Sequence, residues 1–208
     1  MNKTRIEWCD FTWNPVWGCR NDCPYCYARK LAHRFGESFE PHWKEKNFQR
    51  QMPKEPSRVF VNSMSEIYYW EPEWRMCVLE RIKRYPQHKF LFLTKHPKTY
   101  WFHNFPDNCW LGITATTAPE VVQLQADLSG PHISFLSIEP IHGFISRFAI
   151  DIDMVDWLIV GAETGNRKGK VIPERKWIEE LVATGLPIFM KDSLIPIWGE
   201  DLIRQWPR

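Results

Sequence analysis

Gly18–Ala28 reads GCRNDCPYCYA, which sets Cys19, Cys23 and Cys26 in a three-then-two spacing with Tyr25 just before the last cysteine. Three thiolates on one short loop can hold three irons of a cubane cluster and leave the fourth iron open; a full set of four would close the cluster and leave it only an electron to store. The alternative ligation is a structural zinc site with Cys9 or Cys109 as fourth ligand. Such sites usually pair two short Cys/His clusters a dozen or more residues apart, and this chain has no second pair. Three unrelated buried thiols fit less well, because free core cysteines sit inside apolar runs. Here Arg20, Asn21 and Asp22 stand among them.

Outward from this loop the pattern becomes regular. A β-like segment, RIEWCDFTW, precedes Asn14-Pro15, and Tyr27–Phe35 reads as a helix closed by Gly36. Residues 37–58 are polar, contain Pro and have no period, so a loop excursion over the surface is expected. Apolar strand patterns then recur at 58–62, 89–93, 109–113, 132–138, 156–160 and 187–190. Helical patterns fall between them at 73–85, 98–104, 119–128 and 173–183, whereas 141–153 carries little helical signal. Alternating strands and helices predict an α/β fold built on a parallel sheet. No GxGxxG follows the first strand, so a dinucleotide-binding fold loses its main support.

Five successive strands end in polar residues: Ser63/Glu66, Thr94/Lys95, Thr114/Thr116, Glu139 and Glu163. Polar groups at the carboxyl ends of parallel strands mark the active face of a (β/α) barrel. A full eight-stranded barrel takes about 250 residues, so 208 residues predict a partial barrel of the (β/α)6 type, in one domain spanning 1–208. With 44% hydrophobic and 25% charged residues the composition is that of a globular protein, and a net charge of +2 excludes neither nucleic acid nor small substrates. No signal-like start and no membrane-length apolar run is visible, and six cysteines fit a metal or catalytic role in a reducing cytoplasm.

The cysteine spacing resembles the signature of the radical S-adenosylmethionine (SAM) superfamily. The segments IEWCDFTWNPVWGC, VFVNSMSEIY, FLFLTKHP, WLGITAT, FLSIEPIHG, WLIVGAETG and IFMKD resemble, over nearly the whole chain, a family of phage Gp37/Gp68-type radical-SAM-like proteins that also carries a domain-of-unknown-function label. NSMSE stands where that family has GSMSD, and GAETG where it has GGESG, and both keep the polarity. The resemblance implies a partial barrel and a 4Fe–4S cluster on Cys19, Cys23 and Cys26. It further implies SAM chelated to the open iron, with Tyr25 near the adenine, and reductive cleavage to a 5′-deoxyadenosyl radical fed by a flavodoxin-like or other one-electron donor.

By position, the resemblance assigns Ser63, Ser65 or Glu66 to the SAM amino group and Thr114 and Thr116 to the ribose. The same polar cluster at 63–66 would equally cap a following helix, and Thr is simply a good strand residue. Glu139, placed after apolar FLSI, needs a ligand, a lysine or water to solvate it, and Glu163 has similar standing. Lys95 and Lys191 end strands and could neutralise these acids or meet substrate. His96 and His142 follow strand ends as candidates for proton transfer, while His33, His42 and His88 read as surface residues.

Twelve Trp is high for this length. Trp8, Trp13, Trp17, Trp43, Trp70 and Trp74 lie near the ligand loop or the 37–58 excursion, which also carries Lys44, Lys46, Arg50, Lys54 and Arg58 against four Glu. Interleaved aromatics and cations suit a nucleobase or a nucleic-acid strand; Trp roofing a pocket for a small molecule is the competing reading. A zinc-stabilised nucleic-acid-binding module is the alternative to an enzyme.

Overall fold

The computed structural model describes residues 2–128 and 130–207. They divide into two compact units. The first runs to Thr94 and takes in Thr99–Trp110; the second comprises Lys95–Lys98 and everything from Leu111 onward.

In the first unit β1 (Asn2–Lys3) folds back antiparallel on β2 (Phe11–Thr12), which pairs in parallel with a later strand, Arg58–Phe60. The β-like segment expected over Thr4–Trp13 is therefore strand only at its end. Asp10 fixes this junction, its carboxylate accepting the Arg58 N–H at 2.8 Å and the guanidinium at 2.9 and 3.1 Å. The guanidinium, with the backbone bond, holds the Asp10 carboxyl below its ordinary value although burial opposes the shift.

Beside this ladder β3 (Val16–Trp17) pairs antiparallel with β4 (His42–Trp43), and the cysteine loop leaves from the end of β3. Gly18 sits there at φ 101°, where a Cβ would run into the Glu40 carbonyl, so only glycine lets the two backbones touch. α1 (Tyr27–Arg34) buries Ala28 and Ala32 against Phe39 and Met64. Its end is a Schellman turn: Gly36, at φ 68°, donates to His33 O, and Glu37 N–H reaches back to Ala32 O at 3.0 Å.

The 37–58 excursion is not a loose surface loop. Phe39 and Met52 are buried, and α2 (Glu45–Phe48) forms within it. Trp13 donates its indole N–H to Asn47 O at 3.0 Å, and Asn47 Nδ2 donates to Asn14 O. β5 (Arg58–Phe60) leads on to α3 (Pro72–Lys83), whose Arg81 donates to the carbonyls of Phe48 and Arg50 and lies over the rings of Phe48 and Trp13. Elements of two and four residues carry no readable period, which is why sequence pattern missed them.

β5 continues in parallel with β6 (Lys89–Thr94). His88, expected at the surface, is fully buried, stacked on Tyr85 with ring centroids 6.1 Å apart, and burial holds its pKa below the ordinary histidine value.

In the second unit β7 (Cys109–Thr114, from Leu111), β8 (Ser134–Ile138), β9 (Trp157–Val160) and β10 (Ile188–Met190) form a parallel ladder in chain order. All of β8, β9 and β10 is buried, as in sheets covered on both faces. α4 (Ala118–Gln125) and α5 (Arg175–Val182) are crossovers, α5 burying Ile178 and Leu181. As expected, 141–153 lacks an α-helix and holds one 3-10 turn, Arg147–Ala149. Gln125 tethers that stretch, donating to Ala149 O at 2.7 Å and accepting from Asp151 N–H at 3.0 Å. After α6 (Ile195–Trp198) the tail closes the β10 edge: Met190 N–H donates to Ile203 O and Gln205 N–H to Ile188 O, each at 2.8 Å.

Counted over both units, seven strands lie in parallel ladders, one more than expected, because β2 also pairs in parallel.

Candidate functional site

The cysteine loop is pinned before its first cysteine and again between Cys19 and Cys23. Gly18 N–H donates to Met64 O at 3.0 Å and bridges Ser65, while Cys19 N–H donates to Phe39 O at 2.9 Å. Asn21, between the first two cysteines, is gripped twice: its carbonyl accepts from Arg29 Nη2 at 2.6 Å and its Oδ1 from the Tyr69 hydroxyl at 2.8 Å. Cys26 is the N-cap of α1, with the sulfur accepting Arg29 N–H at 3.4 Å, and Asn21 N–H points at Cys19 Sγ at 3.3 Å. Backbone N–H donors and a helix N-terminus both favour anionic sulfur.

These thiols suit an iron–sulfur group. Cys19, Cys23 and Cys26 are all half-buried and outside any disulfide, and burial pushes the Cys19 thiol up to about 12, with Glu66, Cys23 and Cys26 adding to the rise. A thiolate in that setting needs a compensating cation, which an iron of such a group would supply. Arg29 places a positive charge beside the loop, its guanidinium 5.3 Å from the Phe39 ring centroid with a buried Nε. Cys9 and Cys109 are buried elsewhere, Cys9 Sγ lying 3.8 Å from Ile6 O. Among the described residues, no three His, Cys, Asp or Glu side chains converge as ligands of a single ion. A cubane differs in that each thiolate meets its own iron, so its sulfurs need not share one coordination sphere.

The polar residues after β5 adjoin this loop. Ser63 Oγ and Asn14 bond side chain to side chain at 2.9 Å, and Ser63 O accepts from the Tyr27 hydroxyl at 2.6 Å. Ser65 Oγ accepts the Trp70 indole N–H at 3.0 Å. Glu66 is buried, accepts from Thr94 Oγ1, and caps the 3-10 turn Ile67–Tyr69 through Tyr68 N–H. Tyr25 is half-buried on the loop. Asn14 and Asn21 hold this arrangement and were not singled out by sequence; the Asn14-Pro15 step was the only sign.

In the second unit the strand ends carry three charged groups. Lys191, after β10, pairs with Glu139, after β8, and Gly161 lies between them: a Cβ there would be 3.2 Å from Lys191 Cδ and from Ser193 Oγ. Glu163, after β9, accepts both guanidinium arms of Arg167 at 2.6 and 2.7 Å, and His142 Nε2 lies 3.5 Å away. Arg167 and His142 hold its carboxyl below the ordinary value against burial. Thr116 donates its N–H and hydroxyl to Glu120 at 2.6 and 2.8 Å. Burial raises the Glu120 carboxyl, but these bonds and Lys95 bring it below its ordinary value. Lys95 thus faces Glu120, while Lys191 answers Glu139. Thr114 is half-buried at the end of β7, opposite Ser137.

The Glu163 pair has an acid signature. Its folded pKa lies below the unfolded value, so its stabilisation is present above the ordinary carboxylate range and is lost as pH falls through the folded pKa. Thermal melts between about pH 6 and pH 3 should show Glu163→Gln losing less stability on acidification than wild type. Parallel curves would remove the pair from the pH response.

The family model described as Protein of unknown function (DUF5131) matches residues 3–192. The chain belongs to this family. No curated protein matches this DUF5131 chain. Among solved structures it is similar to spore photoproduct lyase. One is a doubly substituted variant with bound AdoMet and dinucleoside spore photoproduct, at TM-score 0.58 and 10% identity over 80% of this chain and 60% of that one. A singly substituted variant matches at 0.55 and 12%, over 77% and 57%, and the lyase complexed with dinucleoside spore photoproduct at 0.54 and 10%, over 88% and 62%. The DUF5131 chain thus spans about three-fifths of these proteins. The likeness is one of fold: an α/β partial barrel with a parallel sheet and outer helices.

Proposed function

We propose that this chain is a radical SAM enzyme acting on a nucleotide or nucleic-acid substrate. The observation that carries the proposal is the cysteine loop: three half-buried thiols on a loop clamped at Gly18 and Asn21, the third capping a helix. The likeness to spore photoproduct lyase, one structure of which holds AdoMet and a dinucleoside, supports the same chemistry and substrate class. So does the resemblance to phage-type radical-SAM-like proteins.

Cys19, Cys23 and Cys26 would hold a 4Fe–4S cluster, and Tyr25 would flank the adenine of SAM. When bound, this pair supplies one-electron cleavage to a hydrogen-abstracting radical. Ser63, Ser65 and Glu66 would orient the SAM amino group, with Asn14 and Thr94 holding Ser63 and Glu66 in place. Thr114, Thr116 and Glu163 would serve the rest of the cofactor. Glu139, with Lys191, would stand toward substrate as a neutralised pair able to pass or hold a proton, and Lys95 would set the charge at the β6 end. A flavodoxin-like donor in a reducing cytoplasm would supply the electron. Among the described residues no helix is long and apolar enough to cross a membrane.

Anaerobic reconstitution tests this. About four irons per chain, and 5′-deoxyadenosine released from SAM with dithionite, are expected. A colourless protein carrying one zinc per chain and forming no 5′-deoxyadenosine overturns it.

A further inference from the structure

We infer that the loop 164–172, after β9, is a nucleic-acid phosphate-contact loop. This rests on the proposed nucleic-acid substrate and says where its backbone is held. Arg167, Lys168 and Lys170 place three cations within four residues, and no acid occurs from Thr164 to Ile172. The bordering acids are already answered: buried Glu163 by Arg167, and Glu174 by Lys176 at 2.9 Å. Lys168 and Lys170 are exposed and carry the loop's uncompensated charge.

The loop also has a defined form. Arg167 roots it at the strand end through Glu163, Lys170 N–H closes a turn on Arg167 O at 3.3 Å, and Lys170 Nζ reaches Gly165 O at 2.9 Å. Gly165 and Gly169 sit at φ 82° and 75°, and a Cβ at either would meet nothing within 4 Å. The backbone is therefore bare before the lysines and between them, so a phosphodiester can approach it closely. The loop leaves the end of β9, and the strands on either side, β8 and β10, lead into Glu139 and Lys191, the pair proposed to meet substrate.

In the other basic segment Lys46 and Lys54 are likewise exposed, but two of its five cations are committed within their own unit. Lys44 is bound to Glu37 at 2.7 Å and lies over Trp17, and Arg58 is bound to Asp10. A strand of regularly spaced phosphates matches the 164–172 loop better than a single small anion, because two exposed cations can each neutralise a separate phosphate.

The test uses full-length apo protein, with no cluster or SAM, and fluorescence anisotropy of a labelled single-stranded 20-mer as DNA and as RNA across a salt series. Lys168→Ala/Lys170→Ala should raise Kd about tenfold at low salt and flatten the log–log salt slope by about 1.4, the value for two phosphate contacts on a single strand. Lys46→Ala/Lys54→Ala, which removes two exposed lysines from the other segment, should leave both nearly unchanged. Equal loss in the two variants means diffuse charge and overturns the assignment, as does wild-type-like binding by the first variant. No binding by wild type overturns it too. None of these results depends on 5′-deoxyadenosine formation, so the loop and the radical chemistry fail separately.

Discussion

Alanine at any one of Cys19, Cys23 and Cys26 should drop bound iron from about four atoms per chain to below one and cut 5′-deoxyadenosine formation by about a hundredfold or more. Losing a partner behind a ligand already costs 10–100-fold in metal affinity, so losing a ligand itself sets that as the floor. Cys26→Ala has a second consequence, because Cys26 caps α1 and its sulfur takes Arg29 N–H. Losing a cap costs about 1 kcal/mol, so Cys26→Ala apo protein should melt below Cys23→Ala. Cys9→Ala, Cys77→Ala and Cys109→Ala should keep their iron: Cys9 precedes β2, Cys109 opens β7, both buried, and Cys77 is exposed on α3. A zinc site completed by Cys9 or Cys109 predicts the opposite, with one of those variants losing the metal. Iron content and absorbance around the cluster band separate the two outcomes. Full iron in any of the three loop variants would remove that cysteine from the ligand set.

The parallel ladders were legible because β6, β7, β8 and β9 are continuous apolar runs cut off by polar residues, a pattern imposed by burial on both faces. The missing helix at 141–153 was legible for the converse reason, having no apolar stripe. What escaped was structure made by single long-range bonds. The 37–58 segment owes its shape to Trp13, Asn47 and Arg81 reaching across more than thirty residues, and no local period encodes that. His88 escaped likewise: polar neighbours in sequence hid a ring packed between Tyr85 and Phe90.

The candidate site was legible in kind more than in pairing. Polar strand ends identified Glu139, Glu163, Lys95 and Lys191, but nothing in their spacing says that Lys191 meets Glu139 or that Lys95 faces Glu120. Arg167 was not singled out although it stands four residues after Glu163, because a strand end followed by a glycine-rich loop offers no helical i,i+4 face to argue from. The loop clamp on Asn21 was hidden for the same reason, since both of its donors come from other elements.

Trp13→Ala should destabilise the apo protein by about 3–5 kcal/mol, the range for emptying a buried aromatic site, and lower the melting temperature by about 10 °C for a chain of this size. Sequence pattern offered Trp8, Trp13 and Trp70 as stacking surfaces, but each is almost wholly buried. Trp13 packs against Phe48 with centroids 6.0 Å apart and edge-on to Phe90, beneath the Arg81 guanidinium. Its indole N–H holds Asn47 O, so the substitution opens a cavity and releases the turn that docks the 37–58 segment. Trp13→Phe separates the two effects: it fills most of the space and loses only the hydrogen bond, worth about 1 kcal/mol. Trp101, half exposed, is the contrast; Trp101→Ala should change stability by no more than about 0.5 kcal/mol. Urea titrations give the energies, and limited proteolysis should cut Trp13→Ala within 44–50 under conditions that spare wild type. Unchanged stability together with weakened nucleic-acid binding would return Trp13 to the ligand-contacting surface, because a ring that supports the core cannot be removed without a cavity to show for it.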